Sequence, residues 1–192
     1  MSFNNEDKRQ LVHLAMGGFA LLLRWLTQWQ AMLFAAAALC FNLFILRRLI
    51  PALFRDQELK QGYSIGIIMY PLVVLILVTA LPIYLAAGAW AILAVGDSFS
   101  NLIGRRFGTR KLYWNQSKSY AGLIGFILTS IIGCGFLLWW VKPDIQAYTL
   151  VNLSILGSVI CGILETLPVK IDDNILVGLG AGVTLFLLSL IY

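Results

Sequence analysis

Seven stretches of this chain are apolar for close to the ~20 residues that a helix needs to cross ~30 Å of hydrocarbon. They fall at 11–29, 30–46, 63–80, 82–96, 119–141, 146–164 and 174–192. Runs so long and so many exceed what one soluble core can bury. Charge usage agrees: 60% of the residues are hydrophobic and 12% charged, against about 25% charged in ordinary soluble domains. The expected fold is all-α, a polytopic integral membrane protein of about seven transmembrane helices. A single domain occupies residues 1–192, with no room for a separate soluble one. Pro82 after Thr79-Ala80-Leu81 suits a first helical turn, so a tight break separates the third and fourth helices.

Positive charge sets the expected orientation. With the N-terminus cytoplasmic, that face holds Lys8, Arg9, Arg47, Arg48, Arg55, Lys60, Arg105, Arg106, Arg110, Lys111, Lys118 and Lys170, leaving Arg24 and Lys142 opposite. Twelve cations against two favour N-in and C-out under the positive-inside rule. Glu6 and Asp7 flank the first basic pair and no small-residue cleavage site follows, so the first helix is expected to be uncleaved. The net charge of +5 is spread over short loops and makes no nucleic-acid face. Cys40, Cys134 and Cys161 lie far apart within apolar spans, where they read as small packing residues.

The segment from Gly96 to Gly122 stands out against this background. If the fourth helix continues past Asp97, then Asp97, Ser100, Asn101, Gly104 and Gly108 share one small, polar face. Gly104-x-x-x-Gly108 also suits close helix packing, within the chain or between the copies of a homodimer. Lys118 and Ser119 open the fifth helix, whose N-terminus offers free N–H groups and a positive dipole end to an anion, and Gly122 keeps the next turn open. Arg105, Arg106, Arg110 and Lys111 serve topology or headgroup contact, with Arg105 the candidate to reach a phosphate. Glu165 and Asp172-Asp173-Asn174 bracket the last connection. Their hard oxygen ligands suit Mg²⁺, while a plain helix cap at Asp173 or Asn174 is the simpler reading. Together, carboxylates and cations on one membrane face are what phosphoryl or nucleotidyl transfer needs.

Other chemistry is excluded or weak. There is no G-x-x-x-x-G-K-[ST] loop. Gly178-x-Gly180-x-Gly182 sits in an apolar span without a βαβ context and reads as helix packing. The one histidine, His13, builds no multi-histidine metal site; it is either a structural contact or a substrate contact. Asn42, Thr129 and Asn152 are too scattered to mark a transport path.

Taken in order, Arg9-Gln10-Leu11-Val12-His13, Tyr70-Pro71-Leu72, Gly96-Asp97 through Gly104 and Gly108 with Lys118-Ser119-x-x-Gly122, and Glu165 with Asp172-Asp173-Asn174 resemble the motifs of the dolichol kinase/phytol kinase family. That family is related to the phosphatidate cytidylyltransferases. The resemblance implies phosphoryl transfer from a nucleoside triphosphate, typically CTP, with ATP the other candidate, to a long-chain or isoprenoid alcohol. It further implies Mg²⁺ and triphosphate held by Asp97, Asp172 and Asp173, with Lys118 on the phosphates. Ser100, Asn101, Gly104, Arg105, Gly108, Ser119, Gly122 and Asn174 would line the nucleotide, and Asp97, Glu165 and Asp173 are the carboxylates available to orient the hydroxyl. The implied partners are the lipid alcohol, the nucleotide and membrane lipids, with the site on the cytoplasmic face. Gln10 replaces the family's usual lysine, Ser100 its alanine, and Ala121 stands where dolichol-type members often carry glutamate. A cytidylyltransferase-like enzyme making a CDP-activated lipid, or a kinase acting on a lipid monophosphate, is the alternative, and a non-catalytic transporter a more distant one.

Overall fold

The computed structural model describes residues 5–50, 58 and 63–192; of the cations invoked above, Arg55 and Lys60 lie outside the described residues. The described residues form helices and loops without a named strand; the one β feature is an isolated bridge between Lys111 and Ser119. The elements are α1 (Asn5–Gly17), continued by a 3-10 helix (Gly18–Arg24), α2 (Gln28–Phe44), the short α3 (Leu46–Leu49), α4 (Ile65–Ala80), α5 (Ile83–Ala91), a π turn (Ile92–Gly96), α6 (Asp97–Phe107), α7 (Tyr120–Val141), α8 (Ala147–Glu165) and α9 (Asp173–Ser189).

The seven expected runs all appear as helical rods, with shifted boundaries. The first divides into α1 and the 3-10 helix, and α2 begins at Gln28, ahead of the expected 30. A capping box causes that shift: Thr27 N–H donates to Gln30 Oε1 at 2.9 Å while Gln30 N–H reaches Thr27 Oγ1. The fourth run does continue as a helix past Asp97, well beyond the expected boundary at 96. The α5–π–α6 rod is one helix from Ile83 to Phe107, so Asp97 sits in its interior. By length and composition three helices can cross a membrane, Ile83–Phe107, Tyr120–Val141 and Ala147–Glu165. Gln28–Phe44, Ile65–Ala80 and Asp173–Ser189 are apolar but shorter.

The α5–π–α6 rod is central because its residues are small. Ala86, Ala87, Gly88, Ala89, Ala91 and Ala94 are all buried, and small side chains let neighbours approach on every side. A Cβ on Gly88 would stand 3.0 Å from Leu138 of α7 and 3.2 Å from Leu185 of α9. Gly17 meets Ala94 from α1, and Gly178 and Gly182 meet Val73 and Leu77 of α4. Large apolar side chains such as Trp29, Leu33, Ile132 and Ile191 point outward instead, the surface expected of a bundle set in lipid.

The rods alternate in direction. Gln28 at the start of α2 bonds the Val78 carbonyl at the end of α4, while Asn42 near the end of α2 bonds Ile67 near the start of α4. That second bond has a local cause. Pro71 has no N–H to offer the carbonyl four residues back, Ile67 O, and Asn42 Nδ2 fills the gap at 2.8 Å. Arg24 and Lys142 gather at the end of the bundle away from Lys118, with Arg24 stacked on Trp140 and Lys142 over Tyr84. Asp7 pairs with Arg105 at the Lys118 end, and Tyr192 bonds Thr149 at the other.

At the π turn, a Cβ on Gly96 would fall 2.1 Å from Ser130 Oγ and 3.0 Å from Phe126. Ser130 Oγ is itself buried without a hydrogen-bond partner among the described residues. Gly96→Ala should destabilise the protein by about 1–3 kcal/mol through overpacking, and Ser130→Ala in the same chain should recover most of it. Thermal unfolding of the detergent-solubilised single and double variants measures both.

Candidate active site

Asp97, Lys118, Glu165 and Asp172-Asp173-Asn174 meet at one end of the bundle, each delivered by a different local rule. Asp97 follows directly on the π turn, which inserts a residue into the α pitch and so resets which way the next residue faces. The Leu93 carbonyl lies in that turn and is bonded by His13 Nε2 at 3.4 Å. Because a carbonyl only accepts, His13 carries its proton on Nε2 there. The ring of His13 packs edge-on against Tyr70 at 4.2 Å. The Tyr70 hydroxyl takes the Trp90 Nε1–H at 2.7 Å and reaches the His13 carbonyl at 3.4 Å. His13, expected as either a structural or a substrate contact, thus has its Nε2 engaged by the helix that carries Asp97, although it borders the same cavity.

Asp97 is buried, and its Oδ1 accepts from Asn101 Nδ2 at 3.1 Å, one turn along the same face. Ser100 is on this side of α6 too, and donates to Glu165 Oε1 at 3.1 Å. Glu165 is the last residue of α8 and is 2% exposed. The same carboxylate oxygen accepts from Lys118 Nζ, which also lies 3.4 Å from Asp173 Oδ2. Asp97 stands within electrostatic reach of Lys118, Asp173, Glu165 and Asp172. Burial works against the Lys118 charge, but Glu165 above all, then Asp173, outweigh it, so the ammonium is held above the ordinary lysine value of 10.5.

The remaining candidates divide into packing, capping and surface positions. Gly104 and Gly122 face one another, a Cβ on Gly104 lying 3.5 Å from the Gly122 Cα. Gly108 is closer still, its Cβ position 2.4 Å from Ser119 Oγ. Ser119 caps α7 through a bond from Gly122 N–H at 3.1 Å. These four residues therefore make a close crossing of α6 with α7 within the chain. Arg105 is engaged by Asp7 at 3.0 Å and by the Asn101 carbonyl. The α9 cap is Asp172, not Asp173 or Asn174: Asp172 Oδ1 accepts from Asn174 N–H at 3.0 Å and from its Nδ2 at 2.9 Å. Asp173 is left with a half-exposed side chain facing Lys118. Among the described residues no group of three or more His, Cys, Asp or Glu is placed to hold a metal ion by itself. Asp97, Asp172 and Asp173, the residues expected to hold Mg²⁺, make no such group.

A cavity of 1210 Å³ opens beside this cluster, between the 3-10 helix, α2 and α4. Its mouth is polar, with Arg9, Gln10, Asp97, Asn101, Asp173 and Asn174, and its far walls are apolar, with Leu22, Leu26, Phe34 and Val78. Lys118, Glu165 and Ser100 do not line it, so Asp97 stands between an apolar cleft on one side and the lysine on the other. Sequence reasoning missed this cleft, because it read α2 and α4 only as lipid-crossing rods. It also missed Arg9 and Gln10 as site residues, although the motif containing them was in view.

Comparison with known proteins now bears on the site. The chain is 27% identical to "Farnesol kinase, chloroplastic" of Arabidopsis thaliana, over 97% of this chain and 66% of that protein. It is 28% identical to "Probable phytol kinase, chloroplastic" of Triticum aestivum, over 70% and 46%. With "Probable phytol kinase 3, chloroplastic" of Glycine max it shares 27%, over 92% and 61%. The chain is thus similar, over most of its length, to proteins named as farnesol and phytol kinases. It spans about half to two thirds of the length of these relatives. No protein-family profile and no solved structure matches it.

The raised Lys118 pKa has a testable sign. A cation whose folded-state pKa lies above its unfolded value stabilises fully below that unfolded value, and the effect is lost as pH rises through the folded one. Lys118→Met should cost about 2–4 kcal/mol, less than for a wholly dry pair because the lysine remains partly exposed. In unfolding experiments the gap to wild type should stay flat from about pH 7 to about pH 10 and close only above that.

Proposed function

We propose that the chain is a lipid-alcohol kinase, transferring the γ-phosphoryl group of a nucleoside triphosphate, CTP or ATP, to the hydroxyl of an isoprenoid or other long-chain alcohol. One observation carries this reading: a carboxylate cluster with an adjacent lysine forms the mouth of a long apolar cleft. From Gly66 to Val78 the cleft follows α4 for twelve residues, ~18 Å at helical rise. An isoprenoid tail fits such walls, and its hydroxyl then falls beside Asp97 and Asn101. The names of these relatives, farnesol and phytol kinases, point to the same substrate class.

In this reading the alcohol oxygen attacks the γ-phosphorus, the bond to the β–γ bridging oxygen breaks, and the nucleoside diphosphate leaves. Lys118 offsets charge on the phosphates, and Asp97 or Asp173, both at the cavity mouth, orients the hydroxyl and takes up its proton. Glu165 holds Lys118 in place and does not reach the hydroxyl. Asp97 and Asp173, assisted by the uncommitted oxygen of Asp172, would hold Mg²⁺ together with the triphosphate. When bound, the ion would offset the charge developing on the phosphate oxygens. Such a transition state is loose, so positioning and charge supply most of the rate. Seven membrane passes with the N-terminus and the site on the cytoplasmic side, where the nucleotide is, complete the proposal. Cation segregation supports it, since Arg24 and Lys142 lie at the far end from Lys118.

Purified protein in lipid vesicles with Mg²⁺ and γ-labelled CTP or ATP should label farnesol or phytol. Label from the α-phosphate reaching lipid instead would replace this reading with a cytidylyltransferase. Asp97→Asn should lower turnover about a hundredfold or more while leaving the unfolding temperature near that of wild type; near-normal turnover would remove Asp97 from the site.

A further inference from the structure

Two buried polar atoms at the cavity mouth lack partners among the described residues, and they are chemical opposites. Arg9 Nη1 is a donor without an acceptor, and Gln10 Oε1 an acceptor without a donor. Buried polar atoms are almost always paired, so an orphan of each kind in one place calls for a ligand. Both residues belong to α1 and line the cavity that Asp97 and Asn101 line. Gln10 is fastened beside the carboxylate as well, because Ser98 Oγ donates to its carbonyl at 3.2 Å.

The surroundings of Arg9 hold it in position without using up its capacity. Glu58 Oε2 lies 3.5 Å from Nη1, an ion-pair separation that makes no hydrogen bond. On the other side, Arg9 Nη2 and Asp172 Oδ2 both border the space above Gly66, at 3.8 and 3.7 Å from where a Cβ would stand. The Glu58 carboxylate keeps the guanidinium charged, and Arg9 lines the cleft. Lys118 is engaged elsewhere and does not line the cavity. Arg9 is therefore the cation on the lipid side of Asp97, and Lys118 the cation on the opposite side.

We infer that Arg9 and Gln10 form the headgroup site for the lipid: Gln10 accepts the hydrogen bond of the alcohol hydroxyl, and Arg9 binds an oxygen of the phosphate once that group is on the lipid. The inference rests on the lipid-alcohol kinase reading. It assigns the two ends of the transfer to different residues. Before the step, the neutral hydroxyl needs an acceptor. After the γ-phosphorus has passed to the alcohol oxygen and the nucleoside diphosphate has left, the lipid carries a dianion that needs a donor. Gln10 matters for what a lysine in its place would do differently. A lysine only donates, and beside Arg9 it would make a two-cation grip on the product. The amide accepts, and leaves a single cation to hold the phosphate, so the product is released more readily.

Equilibrium binding of labelled farnesol and of farnesyl monophosphate tests this on the full chain in nanodiscs with Mg²⁺, without nucleotide. Arg9→Gln should weaken farnesyl monophosphate about ten- to a hundredfold and change farnesol by no more than about threefold. Arg9→Lys, which keeps the charge, should recover most of the monophosphate affinity. Gln10→Leu should weaken farnesol, and Gln10→Lys should tighten the monophosphate by about tenfold or more. Equal losses for both ligands in Arg9→Gln would overturn the assignment, as would monophosphate binding within about twofold of wild type in both Arg9→Gln and Gln10→Lys. If Arg9→Gln does not fold, the Gln10→Lys and Arg9→Lys arms decide. Binding is read without turnover, so a chain that labels no lipid yet shows this pattern defeats the kinase reading alone. A chain that labels lipid with Arg9 and Gln10 inert defeats this site alone.

Discussion

A charge inside an apolar bundle has to be answered by another charge, and the Lys118–Glu165 pair is where this protein meets that demand. Glu165 is almost wholly enclosed at the end of α8, and its Oε1 gathers Lys118 from the α6–α7 loop and Ser100 from α6. Lys118 extends the same network to Asp173 at the start of α9. One carboxylate thereby ties the end of α8 to α6 and the α6–α7 loop and, through Lys118, to the start of α9, and these segments carry the polar candidates. Removing either charge leaves the other stranded in a medium that solvates it poorly. The pair thus fixes the geometry of the cluster before any ligand arrives.

The second constraint is that the backbone be satisfied wherever a helix departs from regular pitch. α4 loses a donor at Pro71, and Asn42 of α2 answers the Ile67 carbonyl. The central rod widens at Ile92–Gly96, and His13 of α1 answers the Leu93 carbonyl. Each irregularity is patched by a polar side chain from a neighbouring rod. The patched positions border the cavity, so the same contacts that repair the helices also fix the cleft and the direction of Asp97.

Much of this was legible in the residues. Apolar runs located the rods within a few residues, and helical spacing put Asp97, Ser100 and Asn101 on one face, as α6 has them. Ser119 was recognisable as a cap from its place ahead of Tyr120. What could not be read follows from its physical origin. A π turn is one added residue in a helix that is apolar on both sides of it, and no side-chain pattern marks it. Whether Ile83–Gly96 faces lipid or protein is equally silent, because both surroundings select the same alanines and leucines. The capping box at Thr27 and Gln30 was visible in principle, in the polar patch of Arg24, Thr27, Gln28 and Gln30 between the first two runs. The cleft between α2 and α4 is a property of how rods are spaced, and spacing is written only in pairs of residues far apart in the chain.

The thin outer wall of that cleft has a consequence for how the molecule meets its ligand. Phe19, Leu22, Phe34 and Phe41 line the cavity and are exposed on the outside of the bundle as well, so one layer of side chains separates the interior from the surrounding acyl chains. A greasy molecule entering by that route never crosses bulk water. Its effective concentration is then its mole fraction in the bilayer, and diluting the membrane with inert lipid is equivalent to diluting the substrate. Occupancy is governed by two-dimensional diffusion and surface dilution, whatever the volume of solution around the vesicles.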